Sequence, residues 1–320
     1  MKKIRTTIIL LLCIALALCG CVAGETSRRE PVQELTCTQP DALSGIYPAG
    51  GSKLYICSSD YEAERTTVQL VDAGSDAVCG EVTLDGVWSI KSQSFSDGRL
   101  ALCDRAITLT DTMSADEELY GINAALDALL RTLSLYPDGF FAQFKNGMGE
   151  GGIRFLLTER IDSDYGVVGC AYESREWQNI ALDVRMADGL DTIICHELWH
   201  ATENHILSRD YSAFSPDAWA ALNPEGFAYC EDPTQSDSML EWTLYSSSPD
   251  NVYFVDGYSC VNEREDRARI MEYFMVHEDE AGLLIESPAI RQKLQFMCDA
   301  VRNNFDTTEW SAVRWESLLR

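Results

Sequence analysis

Apolar residues along this chain change their period three times, and each change predicts a different kind of element. A charged opening, Met1-Lys2-Lys3-Ile4-Arg5, runs into an apolar stretch over residues 8–18. That is the layout of an export signal, too short for a spanning helix of about 20 residues. Residues 22 to 40 are polar and aperiodic, as in a tether. Between residues 53 and 110 the apolar positions come in short runs, at 54–57, 67–71, 82–84, 87–90, 100–102 and 107–109. Asp85-Gly86 and Asp97-Gly98 fall between runs as hairpin signals. This stretch predicts a small β-rich unit, and no residue constellation in it suits chemistry.

The period then lengthens. Leu119, Ile122, Leu126, Leu129, Leu130 and Leu133 recur at helical spacing behind a capping box of Ser114 and Glu117, and the helix is expected to stop before Pro137. Three strand-like segments follow, at 153–158, 167–172 and 179–184; in the last, Ile180, Leu182 and Val184 alternate with Ala181 and Asp183. The final strand is placed to align an extended peptide by β-addition. A second helical stripe comes next, Leu190, Ile193, Ile194, Leu198 and Ala201, with Asp188 as its expected N-cap. The pattern predicts an α+β fold: leader 1–20, tether 21–40, a β-rich domain 41–112, and a larger domain 113–320 of mixed sheet and helices.

Charge narrows the partners. With 51 acidic against 25 basic residues the chain carries a net −26, more negative still without the leader, and such a surface repels nucleic acid and anionic headgroups. It names no substrate. The leader ends Leu18-Cys19-Gly20-Cys21, which resembles the bacterial lipobox. The resemblance implies that Cys21 receives lipid and holds the exported protein at the outer face of the cytoplasmic membrane, or the periplasmic side of an envelope membrane. Nine further cysteines follow, Cys37, Cys57, Cys79, Cys103, Cys170, Cys195, Cys230, Cys260 and Cys298, an odd number with no CxxC pair. One or two bridged pairs are expected, the rest serving as small buried hydrophobes.

The chemistry concentrates in His196-Glu197-Leu198-Trp199-His200. On a helix, positions i and i+4 share a face, so both imidazoles can converge on one ion while the glutamate beside the first addresses its open position. The bland alternative is two surface histidines around a salt-bridging glutamate, but two of only four histidines in the chain fall in this motif. A catalytic zinc needs a third ligand. His205 is one residue short of the extended HExxHxxGxxH spacing, with Glu203 in the glycine position, and reads as a surface residue on a frayed helix end. His277 has no site-like neighbours. The better source is the helix-like segment 262–272, capped by Asn262, with Ala268 small enough for close approach. Cys195 points about 100° away from His196 and reads as core.

HExxH followed by a Tyr-containing loop and then Glu265-Asp266-x-Ala268-x-x-x-Glu272 resembles the gluzincins. It is similar above all to a group of bacterial zinc-metallopeptidase lipoproteins and, more remotely, to the anthrax lethal factor type of protease. The likeness spans residues 114–304, with Tyr136-Pro137-Asp138-Gly139-Phe140-Phe141, Trp219, Leu222-Asn223-Pro224, Gly226-Phe227 and Tyr253-Phe254 among the matching residues. It implies a zincin-like domain, Zn2+ held by His196, His200 and Glu265, Glu197 as general base, and Tyr258 as donor to the developing oxyanion. The chain departs from the thermolysin-style NExxSD wording, which keeps Glu263 and Glu272 open as alternatives to Glu265; the last could also be a helix-start residue paired with Arg269. Asp266 is the expected acceptor for the free N–H of a zinc-bound imidazole. Trp199, Trp219 and Trp242 either line the cleft or belong to the core. The implied activity is hydrolysis of peptide or protein substrates. A non-catalytic lipoprotein binding a peptide or cell-wall ligand, and a zinc amidase acting on cell-wall material, are other readings of the same residues.

Overall fold

The computed structural model describes residues 45–48, 53–60, 65–72, 74–85, 90–92, 99–102, 105–108, 115–145, 151–158, 168–174, 177–186, 188–232, 240–310 and 313–320. The leader, Cys21, the tether, Ser114 and both Asp-Gly pairs as units lie outside them. Among the described residues no helix is long and apolar enough to cross a membrane.

The chain is a mixed α+β protein with small sheets and several helices. Four strands, β1 (Gly45–Pro48), β2 (Lys53–Asp60), β3 (Arg65–Asp72) and β4 (Ala77–Asp85), make an antiparallel meander in sequence order. The turn between β3 and β4 is closed by Asp72, whose Oδ1 accepts from the Gly74 and Ser75 N–H groups at 3.0 and 2.9 Å. Val68 on β3 is buried in the same apolar cluster as the helices. Two short strands, β6 (Arg99–Leu102) and β7 (Arg105–Thr108), pair with each other.

The second four-stranded sheet has the order β5 (Ile90–Ser92), β8 (Gly152–Thr158), β10 (Trp177–Asp183), β9 (Gly169–Ser174). β5 and β10 each run parallel to β8, and β9 runs antiparallel to β10. The strand expected to align a peptide is therefore interior: β10 is hydrogen-bonded on both sides, and its residues 178–183 are all buried. The alternation of Ile180, Leu182 and Val184 with Ala181 and Asp183 does not divide a buried face from an exposed one, because the strand is covered on both faces. The position beside the histidine helix belongs to β9.

Among the described residues there are six α-helices: α1 (Ala115–Leu133), α2 (Leu190–Arg209), α3 (Pro216–Ala220), α4 (Glu263–Val276), α5 (Glu278–Leu284) and α6 (Pro288–Asn304). α2 is the central element, packed against β9 and β10, α1, α4 and α6. Its burial wraps round the helix rather than following one stripe: Leu190, Ile194, Leu198 and Ala201 are buried, and so are Cys195, Trp199, Thr202 and Ile206. That is the signature of a helix inside a core. The expected Asp188 cap is not used; Gly189 precedes the helix at φ 88°, a left-handed entry that favours glycine, with no side-chain cap. His205 is a further correction. It is 5 % exposed, with its ring 4.9 Å from that of Phe144 and 5.0 Å from that of Phe305, because α2 runs on to Arg209 instead of fraying.

Cys79, Cys170, Cys195, Cys230, Cys260 and Cys298 are free thiols, so the expected bridges are not found among the cysteines whose side chains are described. Cys195 is fully buried, and its hydrogen bond with Tyr136 ties the core side of α2 to the aromatic cluster of Phe140, Phe144 and Phe305.

Candidate metal centre

Two helices distant in sequence build the site. α2 presents His196 and His200 one turn apart. α4 brings Glu265 opposite them, and its start is fixed by Asn262, whose side chain accepts from the N–H groups of Arg264 and Glu265 at 2.9 and 3.0 Å. Buried ion pairs hold α4 in register. Arg267 makes a two-pronged contact with Glu203 of α2, at 3.0 and 2.9 Å, and Asp266 meets Lys293 of α6 at 2.7 Å with both side chains fully buried. Glu265 directly precedes these two fastened residues in sequence, and its reach toward the histidines follows from them.

His196 Nε2 lies 3.0 Å from Glu265 Oε2 and 3.2 Å from His200 Nε2, and His200 Nε2 lies 3.5 Å from Glu265 Oε2. Donors about 2.0 Å from a tetrahedral ion stand about 3.3 Å apart, so these three separations bracket the edge of a zinc coordination polyhedron. The side chains are largely shielded, at 12 % exposure for each histidine and 20 % for Glu265. Among the described residues they form one group able to hold a metal ion.

Proton bookkeeping points the same way. His196 Nδ1 lies 3.1 Å from Glu272 Oε2, so a neutral ring that keeps its proton there turns its Nε2 lone pair toward a carboxylate oxygen and a second imidazole. Three electron-rich atoms so placed repel one another unless positive charge sits among them. A proton satisfies one pair; a divalent cation satisfies all three. Burial alone would depress His196, but hydrogen bonding to Glu265 and Glu272, with the Glu197 charge nearby, lifts it to about 10, so the site draws positive charge and a second proton on the ring is what a metal ion would displace. Burial likewise pushes Glu265 up, yet the two histidines hold its carboxyl well below the usual range.

Glu197 is 7 % exposed, and burial raises its pKa against the pull of His196 and His200 and a hydrogen bond from the backbone of Ala171. The backbone of β9 also packs tightly at Gly169. A Cβ there would lie 2.6 Å from Ile193 Cγ2 and 2.9 Å from Glu197 Oε1, so only glycine lets the strand approach this far. Tyr258 stands at the rim, 40 % exposed, its ring centroid 6.2 Å from that of His196.

One expected residue is elsewhere. Asp266 does not receive an imidazole N–H; its Oδ2 accepts from Lys293, from the Tyr229 hydroxyl at 2.9 Å and from Trp219 Nε1 at 3.2 Å. The helical turn aims Asp266 away from Glu265, into the core. Glu272 takes the role instead, seven residues after Glu265 and so nearly two turns along the same face. Its Oε1 also lies 3.8 Å from His277 Nε2, whose ring contacts Thr192 outside the triad. Arg269 pairs with Glu272 and Asp256, not with Glu265. Trp199 and Trp219 are core residues, and Trp242 packs on Phe227. The face shared by Glu265, Ala268, Arg269 and Glu272 was readable from helical spacing, whereas nothing in the sequence marks Asp256 or Gly169.

Comparison with protein-family models, with curated proteins and with solved structures finds no match to this chain.

Proposed function

We propose that this chain is a zinc-dependent peptidase of the gluzincin type, with a zincin-like domain around α2 and α4, exported and anchored to a membrane by lipid on Cys21. The observation that carries the reading is the convergence of His196, His200 and Glu265 at coordination spacing, with Glu197 on the same helix and within electrostatic reach of all three. A purely structural cluster has no use for that fourth group.

A zinc ion held by His196, His200 and Glu265 would lower the pKa of its bound water toward about 7 and would polarise a carbonyl. The rest is the work of the chain. Glu197, held partly protonation-prone by burial, takes a proton from the attacking water and returns it to the departing amine. Tyr258 donates its hydroxyl hydrogen to the oxyanion that develops on the substrate carbonyl. Glu272 fixes the His196 tautomer and ring orientation. β9 borders the site and gives an extended peptide a strand to lie along.

The deciding experiment is a Glu197→Ala variant assayed on a peptide library with and without chelator. It should retain zinc and lose about 10²- to 10⁴-fold in hydrolysis. Cleavage at the parental rate would remove the general-base assignment, and a parent protein without zinc would remove the whole reading.

A further inference from the structure

We propose that Arg269 and Asp256 are positioning residues that yoke the Tyr258 turn to the His196 imidazole, so that the oxyanion donor and the metal ligand move as one unit. The proposal rests on the peptidase reading and adds to it a link that no residue motif announces.

The link is a continuous chain of polar contacts. His196 Nδ1 donates to Glu272, which is 1 % exposed. Both Glu272 oxygens accept from Arg269 Nη1 at 2.5 Å, and Arg269 Nη2 donates to Asp256 Oδ2. Asp256 Oδ1 in turn accepts from the Ser259 backbone N–H at 3.1 Å and the Ser259 hydroxyl at 3.2 Å, closing the short 3₁₀ turn Tyr258–Cys260. Tyr258 rides on that turn. The Arg269 guanidinium is itself seated 5.1 Å from the centroid of the Tyr273 ring and is 18 % exposed.

Arg269 has two duties in this arrangement. Its Nη1 holds both oxygens of the buried Glu272, so that carboxylate keeps one orientation toward His196 Nδ1. The guanidinium thereby fixes the acceptor that orients the His196 ring. Its second arm holds Asp256, whose other oxygen shapes the Tyr258 turn. An ion pair that served only stability would not need to end on the two groups that hold the His196 ring and the Tyr258 turn.

The test compares Arg269→Gln and Asp256→Asn with the full-length parent. Zinc affinity is measured by competition with a chelating dye, the Co2+-substituted protein by its visible absorption, and peptide cleavage as separate kcat and KM. Arg269→Gln should weaken zinc about 10- to 100-fold and alter the Co2+ bands. Asp256→Asn should hold zinc within a few-fold of the parent while kcat falls at least fivefold with KM little changed. Where Arg269→Gln does not fold, Asp256→Asn alone decides. Parental zinc affinity and Co2+ bands in folded Arg269→Gln, or parental kcat in Asp256→Asn, overturns the proposal while leaving the peptidase reading intact. A parent that binds no zinc overturns both, and the parent measurement tells the two failures apart.

Discussion

Replacing Gly169 by alanine adds a single methyl group where β9 packs tightly against the α2 face that carries Glu197. The new Cβ would meet Ile193 Cγ2 at 2.6 Å, Glu197 Oε1 at 2.9 Å and Glu197 Cγ at 3.0 Å, all inside ordinary van der Waals contact. Ile193 is β-branched and stiff at χ1, so it yields poorly. Relief must come from the strand backing off or from Glu197 turning aside, by the better part of an ångström. Overpacking of this kind costs about 1–3 kcal/mol. The functional effect should be larger, because a displacement of about 1 Å in a catalytic group can cost about 10²-fold. The expected profile is a modest fall in stability by urea titration, unchanged zinc affinity, and kcat reduced about 10- to 100-fold. Parental kcat in Gly169→Ala would refute the close approach of β9 to Glu197. Loss of zinc would show that the strain travels to the ligands instead.

Three other outcomes follow from the packing. His205 has its pKa lowered from 6.5 to about 4 by burial and by Arg209, so the unfolded chain binds its proton first. Stability is then full above about pH 6.5 and falls by up to about 3 kcal/mol as pH drops toward 4. His205→Leu should flatten urea-unfolding curves across that window relative to the parent; identical slopes would refute it. Lys293→Met leaves Asp266 buried without its cation, which should cost about 3–5 kcal/mol in chemical denaturation, and a change under about 1 kcal/mol would mean the pair is not buried as described. Saturating zinc at about 100 times its dissociation constant should add about 2.7 kcal/mol to the stability of chelator-stripped protein, seen as a rise in Tm, with no such rise in a His196→Ala, His200→Ala double variant.

What was legible in the sequence was what helical geometry fixes locally. His196 and His200 share a face whatever the rest of the chain does, and Asn262 caps α4 because its side chain suits that task. Glu265 came from resemblance, and the fold places it against both imidazoles. The misplaced residues all depended on tertiary partners. Asp266 and Glu272 lie on one helix, and only the seating of α4 against α2 and α6 decides which faces an imidazole and which faces Lys293. His205 looked exposed because a polar ring near a helix end usually is, and its burial depends on Phe144 and Phe305, far away in sequence. Strand order is likewise not local: β9 precedes β10 in the chain yet lies outside it in the sheet.

The paired charges Arg267–Glu203 and Asp266–Lys293 carry a consequence for any attempt to redesign this protein. Apolar helix pairs tolerate slippage, since one methyl group substitutes for another at little cost. These contacts do not: sliding α4 by one turn would strand four ionic groups in the core at once. The two helices thus behave as a keyed joint with a single seating. Transplanting His196, Glu197, His200 and Glu265 onto another scaffold without Glu203, Arg267, Asp266 and Lys293 would carry over the ligands and leave behind what aligns them.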